Sequence, residues 1–218
     1  MTTPDRRTLR AERKRNERRD GILRAAERVF SARGYPDASI SDVIDAAQIS
    51  RGTFYLYFDS KDALYLELIE RFTVLITDAV RVVELDDPDP ALRILENVQR
   101  VVDVALTHPE LTQLVLRESR GLNQALDERL DRLYDFLHSM VVGALSNGAR
   151  CGLIRPVYEP VVATALIGAF KEVFLHHLAS HAVRDPVKDR DRLANAMFEL
   201  SMRGLLIARP PSSYPKSD

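Results

Sequence analysis

The chain predicts an all-α fold: a three-helix N-terminal head, one long connecting helix, and a C-terminal helical bundle that dimerises. Three observations carry that expectation. β-Branched residues sit inside patterns of helical period, never alternating ones, so no strand emerges. Apolar residues recur at i, i+3, i+4 and i+7 over most of the sequence. Gly, Pro and Ser/Asp punctuation then divides the chain into nine such segments, the first three short enough to fit within about forty positions.

Composition sets the outer bounds. The 218 residues, 45% of them hydrophobic, suffice for a head and a larger second domain. No apolar run reads as long enough to span a bilayer, and the Arg-rich N-terminus lacks the apolar centre of a signal peptide, so no membrane and a cytoplasmic location are expected. Cys151 is the only cysteine, which excludes an internal disulfide. The net charge of −1 conceals an asymmetry: residues 1–61 hold 13 Lys+Arg against 9 Asp+Glu, and residues 62–218 hold 18 against 23. A basic head on an acidic body suits a protein that touches a polyanion at one end. The run RRTLRAERKRNERR over 6–19 reads alone as either a solvated tail or a nucleic-acid contact. Its position, leading directly into the first helix, favours the second; residues 1–15 are taken as a basic flexible arm.

Helix one is expected from about 18 to 33, with Ile22, Ala25, Ala26, Val29 and Phe30 on its inner face and Gly34 as the stop. Tyr35-Pro36-Asp37 makes a turn. Ser39 or Ser41 caps helix two, on which Val43, Ile44 and Ala47 face inward. Gln48-Ile49-Ser50 is a tight connection, and Ser50 caps a very short third helix over about 51–57. Phe54 and Phe58, at i and i+4, take its buried side. Aromatics at a helix end are more often core, but with those positions filled, Tyr55 and Tyr57 are left facing out. Short donors and acceptors suit base edges, and phenolic hydroxyls suit phosphates, so the expected element is a helix-turn-helix over about 39–58 bound to double-stranded operator DNA.

The strings ILRAAERVFSARGY and SISDVIDAAQISRGTFYLYFDSKDAL, followed by a long helix, resemble the N-terminal domain of the TetR family of bacterial transcriptional regulators. The resemblance covers residues 16–76 and beyond Phe72 becomes one of helical layout only. It implies that Ser50, Arg51, Gly52, Thr53, Tyr55 and Tyr57 enter or flank the major groove. Gly52 would allow close approach, Thr53 would offer a hydroxyl and a methyl to base edges, and Lys61 would clamp a phosphate at the start of helix four. Ser39 and Ser41 would hold the DNA backbone on the other side. Two positions depart from the family pattern: Gln48 stands where glycine is usual, a left-handed site costing it about 1 kcal/mol, and Tyr57 replaces a common histidine.

The body follows as residues 77–209, with 210–218 taken as a disordered tail. Helix four is expected over 60–85, with Leu64, Leu68, Phe72, Leu75, Ile76 and Ala79 inside. Pro88 and Pro90 close a loop before helix five at 92–106. A sixth helix spans 110–119, a seventh 124–150, an eighth 160–181 opened by Pro160, and a ninth 190–209. Helix eight is apolar around most of its girth and needs cover on more than one side. The small residues Ala165, Gly168 and Ala169, with Met197, Leu200 and Gly204 of helix nine, are the expected homodimer surface; the alternative is cover within one subunit.

The resemblance also implies a small-molecule effector among helices five to eight. Gln99, Gln113, Arg117 and Arg120 are candidate polar contacts, Arg117 or Arg120 for an anionic group. Tyr134 and His138, one turn apart, border the leucine stripe, and Phe170 and Phe174 complete the candidate set. Pairing of Glu118 with nearby arginines, and a core role for His138, are the competing readings. His177 and His181 share an i,i+4 face, a spacing open to a metal but better explained by the negative end of the helix dipole. No phosphate loop, nucleophile elbow or strong metal set is present, so no catalysis and no cofactor are expected. A ligand-responsive dimeric repressor is therefore the leading expectation, with an effector-free DNA-binding or architectural protein as the alternative.

Overall fold

A computed structural model describes residues 6–83, 87–117, 121, 123–150, 152–180 and 186–205, except the side chains of 8, 180, 186–188 and 203–205. The described residues form nine α-helices and no strand. They fall into two units, one built from residues up to Thr77 plus His108–Leu133, the other from Asp78–Thr107 and the residues from Tyr134 on. The expected arm below 6 and tail at 210–218, with Arg120, Cys151 and His181, lie outside the described residues.

In the first unit, α1 is Arg6–Arg33, α2 Ile40–Ala47, α3 Arg51–Tyr55, and α4 Lys61–Ala79 begins here. Helix α1 starts twelve residues before the expected position near 18, so 6–15 are helical where an arm was anticipated. The stretch has no apolar stripe to betray it. It nevertheless lacks Gly and Pro between Arg6 and Asp20, is rich in good helix formers, and gains an i,i+4 pair, Arg13 to Glu17 at 3.0 Å. Gly34 ends the helix in the left-handed region (φ 81°), its N–H bonded to Phe30 O at 2.8 Å.

Ile22, Ala25, Ala26 and Phe30 of α1, which packs on α2 and α6, are buried, and each large apolar side chain so buried contributes roughly 1.5–3 kcal/mol. Tyr65 lies at the centre, 4.4 Å from the Tyr35 ring and 6.0 Å from Phe30, with its hydroxyl donating to Leu114 O of α6 (Pro109–Leu116) at 3.3 Å. The start of α7 (Gln124–Arg150) adds Leu126 and Leu130.

The second unit contains α5 (Pro90–Thr107), the rest of α7, α8 (Glu159–Ser180) and α9 (Pro186–Leu205). Helix α4 stops at Ala79, not at 85. Its last carbonyl accepts from Arg100 Nε at 2.8 Å, and the Asn97 side chain brackets Arg81, accepting its N–H at 2.9 Å and donating to its carbonyl at 2.8 Å. Those contacts satisfy backbone groups that another helical turn would have claimed. Leu145, Ile154, Ala163 and Met202 form a buried cluster joining α7, α8 and α9, with Phe198 against it.

One expectation about membranes needs correcting. Helix α8 over Glu159–Ala179 is long and apolar enough, by length and composition, to cross a bilayer. Ala163 and Phe174 of that stretch are buried and Val162 and Leu166 pack against the cluster, while Val161, Ala165 and Gly168 are exposed and the other apolar side chains are mostly half-buried.

Candidate nucleic-acid interface

The head is held in shape from α1 to α4 by groups that leave one face of α3 free. Ser39 caps α2: its Oγ accepts the Asp42 N–H at 3.2 Å, while the Asp42 carboxylate accepts from the Ser39 N–H at 2.9 Å and hydroxyl at 2.7 Å. Those Ser39 bonds, with Arg33 Nη1 at 2.6 Å, hold the Asp42 carboxyl below its usual range. Ser39 is thus engaged within the protein, whereas Ser41 is exposed on the first turn. Helix α2 ends at Gln48 with φ 53° and ψ 49°, the left-handed site expected there, and Ile49 N–H closes on Ile44 O at 3.2 Å.

Ser50 then caps α3, its Oγ accepting the Thr53 N–H at 3.1 Å and lying 2.8 Å from Thr53 Oγ1. The hydroxyl pair fixes the Thr53 rotamer. Phe54 and Phe58 are buried, with the Arg19 guanidinium 4.7 Å over the Phe58 ring and forked onto Glu67. Helix α3 ends at Tyr55, and 56–57 form a turn instead of the further helical residues expected. Arg51 and Gly52 are exposed, Thr53 and Tyr57 half-buried, and Tyr55 47% exposed.

Leu56, to which the motif assigned no role, is 75% exposed. Gly52 and Leu56 are i and i+4, opposite the Phe54–Phe58 pair, so the same wheel that placed the phenylalanines inside places this leucine outermost. Gly52 has no partner inside the fold that requires it. A Cβ there would meet nothing nearer than Ser50 Oγ at 4.0 Å, and its φ is not in the left-handed region.

Lys61 departs from the expected phosphate clamp. Its ammonium donates to Tyr35 O at 2.9 Å, Ala38 O at 3.0 Å and Pro36 O at 3.3 Å, and sits 4.4 Å from the Tyr35 ring centroid. An ammonium has three N–H donors, and the α1–α2 turn takes all of them. Lys61 is a positioning residue for that turn. Beside it, Asp62 accepts from the Tyr35 hydroxyl and the Asn123 side chain, and burial with this carboxylate pushes the Tyr35 phenol well above its ordinary range.

The effector candidates divide between the two units. Gln113 and exposed Arg117 belong to the first unit, while Gln99, Tyr134, His138, Phe170 and Phe174 belong to the second. His138 Nε2 bonds Pro160 O at 3.0 Å, the structural role that competed with pocket duty. Phe170 and Phe174 pack edge-on at 6.5 Å, and Lys171 Nζ lies 5.8 Å from the Tyr134 ring centroid. Of the expected dimer residues, Ala165, Gly168 and Leu200 are exposed and Ala169 is half-buried. Met197 is 2% exposed. Gly204 falls among residues whose side-chain surroundings are not described. No group of three or more metal-ligating residues occurs among the described residues.

Comparison with known proteins bears on this geometry. Residues 22–68 match the family of bacterial regulatory proteins, tetR family. The HTH-type transcriptional repressor NicS of Pseudomonas putida is 31% identical over 68% of this chain, a match spanning 65% of NicS, just under two thirds of its length. A bacterial regulatory protein in the tetR family from Rhodococcus RHA1 shares the fold with a TM-score of 0.74, covering 88% of this chain and 98% of its own at 19% identity. The regulator FadR from Bacillus subtilis, solved in complex with stearoyl-CoA, gives 0.66 over 85% and 98% at 18% identity.

Proposed function

We propose, from the premise that this chain belongs to the TetR family of bacterial regulatory proteins and is a DNA-binding transcriptional regulator, that it acts as a homodimeric repressor released from a near-palindromic operator by a small, largely apolar effector. The observation that carries the DNA contact is the outward face of α3. Gly52 and Leu56 lie at its centre, Arg51 and Tyr55 flank it, and the Ser50–Thr53 hydroxyl pair is locked beside them. A side chain held in one rotamer gives up little entropy when it meets a base edge. Two such heads would read successive major grooves, with half-sites one helical turn or somewhat more apart.

The apolar surface of α8 supports a second copy as its cover. Support for an effector is the FadR complex with stearoyl-CoA together with the apolar and aromatic side chains of the second unit, Phe170 and Phe174 among them. Release requires the effector to favour a state with mismatched head spacing by a few kcal/mol, and α4, which starts at the head with Lys61, is the element to carry the change.

A footprint of the purified protein on its own upstream region tests the first half. Protection of a symmetric site is expected, and sequence-independent protection overturns operator recognition. A thermal-shift screen with acyl-CoAs, fatty acids and aromatic compounds tests the second. Operator DNA raising the melting temperature while no compound does so would favour the effector-free reading.

A further inference from the structure

The geometry points to a second DNA-backbone surface on the N-terminal half of α1, separate from the α2–α3 motif. This inference rests on the DNA-binding reading above and extends it to residues outside the recognition helix. Arg6, Arg10, Lys14 and Arg18 stand at successive i,i+4 positions, so they form one ladder with a cation every ~6 Å along the helix axis. The next rung is Ile22, which is buried in the head core, so the ladder continues a ridge already fixed in orientation.

At its inner end, Lys14, Arg18 and Ile22 border an open concavity shared with Ala47 and Ile49, at the end of α2 and in the turn before α3. The ladder therefore runs up to the helix-turn-helix on the side of its connecting turn, where Ile49 precedes Ser50, the N-cap of α3.

The charges are not balanced internally. Each step of the ladder places like charges at the spacing where they repel. All four side chains are exposed, and none has an ion-pair partner among the described residues. Glu17, the acidic residue of the concavity, is bonded to Arg13 on a neighbouring face at 3.0 Å. Repulsion along the ladder is relieved by a polyanion lying along it, and duplex DNA seated on α3 is the polyanion that the adjoining turn places within reach. The ladder meets phosphates, so it adds affinity without sequence information.

The test replaces the four cations together, Arg6→Gln, Arg10→Gln, Lys14→Gln and Arg18→Gln, since Gln keeps a helix propensity close to that of Arg and Lys. Binding of the full chain to a mixed-sequence duplex is measured by fluorescence anisotropy across a salt series, with circular dichroism to verify the helix. The slope of log K against log salt should fall by about 3–4 per bound protomer, near 0.9 for each phosphate no longer neutralised. A pair of matched double variants then separates the ladder from net charge: Lys14→Gln/Arg18→Gln against Arg13→Gln/Arg15→Gln. The first should lower the slope by close to two and the second by far less. An unchanged slope in the fourfold variant, or equal reductions in the two doubles, overturns the ladder. A wild-type protein with no salt-dependent binding would sink the DNA-binding reading itself, a result distinct from either.

Discussion

At the scale of single residues, the third helix contains an expense that folding does not explain. Glycine inside a helix costs about 0.5–1 kcal/mol relative to alanine, and at position 52 there is open space for a methyl group. Gly52→Ala is therefore expected to raise thermal stability while weakening operator binding at least tenfold; a variant that binds as tightly as wild type would show that nothing approaches this site closely. Tyr55→Phe removes a hydroxyl suited to phosphate and should weaken binding to all operator variants by a similar factor, about 5–10-fold. Thr53→Ala should instead alter base preference, and equal weakening on every variant operator would count against base reading there. Lys61 invites a sharper division. Lys61→Gln removes a charged donor from three carbonyls, so about 1.5–3 kcal/mol of stability should go. Because its ammonium is engaged in the turn, the salt slope of DNA binding should stay put; a fall of about 0.9 would restore the phosphate clamp.

At the scale of helices, what the sequence made legible was whatever obeys local rules. The cap at Ser50, the stop at Gly34 and the bounds of α7 follow from short-range chemistry; of the two serines offered as the α2 cap it is Ser39, and the left-handed Gln48 was implied by the family resemblance. The early start of α1 rests on local helix propensity without an apolar stripe, whereas the early end of α4 has a non-local cause. Val80, Val82 and Val83 continue an apolar helical spacing, so nothing nearby announces that Asn97, sixteen residues later, will bracket Arg81. The turn contacts of Lys61 were not legible because the carbonyls that hold it come from 23 to 26 residues earlier. Which polar groups of the effector set converge depends on how four helices, α5 to α8, pack, and no local pattern states that. Packing of α1 and α4 also yields a pH prediction. Burial pushes the Glu27 carboxyl above its ordinary range despite Arg71 Nη1 at 3.8 Å, and its Oε1 makes no hydrogen bond. A raised pKa means that the stabilisation is complete below the unfolded value and is lost as pH rises through the folded one. At neutral pH the ionised group is a burden on the fold. Glu27→Gln should thus raise the melting temperature at pH 7, with the advantage shrinking as pH falls towards about 4. A lower melting temperature at pH 7 would mean that the Arg71 attraction outweighs desolvation.

At the scale of the molecule, the question is what covers α8. A helix apolar enough for a bilayer that leaves Val161, Ala165 and Gly168 exposed and most of its other apolar side chains only half-buried keeps apolar area in water at a cost. Lipid and a second protein surface both remove apolar area from water, and they leave different marks on the sequence. A lipid-facing helix has no use for Lys171 and Glu172 in its middle. A helix meeting its own copy gains from small residues that let backbones approach, and Ala165, Gly168 and half-buried Ala169 provide them beside the exposed Val161. Leu200 of α9, 61% exposed, extends the apolar surface outside α8. Gly168 is the informative position because a Cβ there meets nothing within 4 Å, so a larger side chain fits the isolated chain. Gly168→Glu should leave the monomer folded, and even favour its helix, while placing a charge where the second copy would sit. Sedimentation velocity should then report a folded monomer, and affinity for a symmetric operator should fall towards that for random DNA, since one head alone contacts too few base pairs. A variant that remains dimeric and still recognises the operator would move the mating surface off α8. A variant that loses its helical signal would instead place Gly168 inside the fold, against the open space around it.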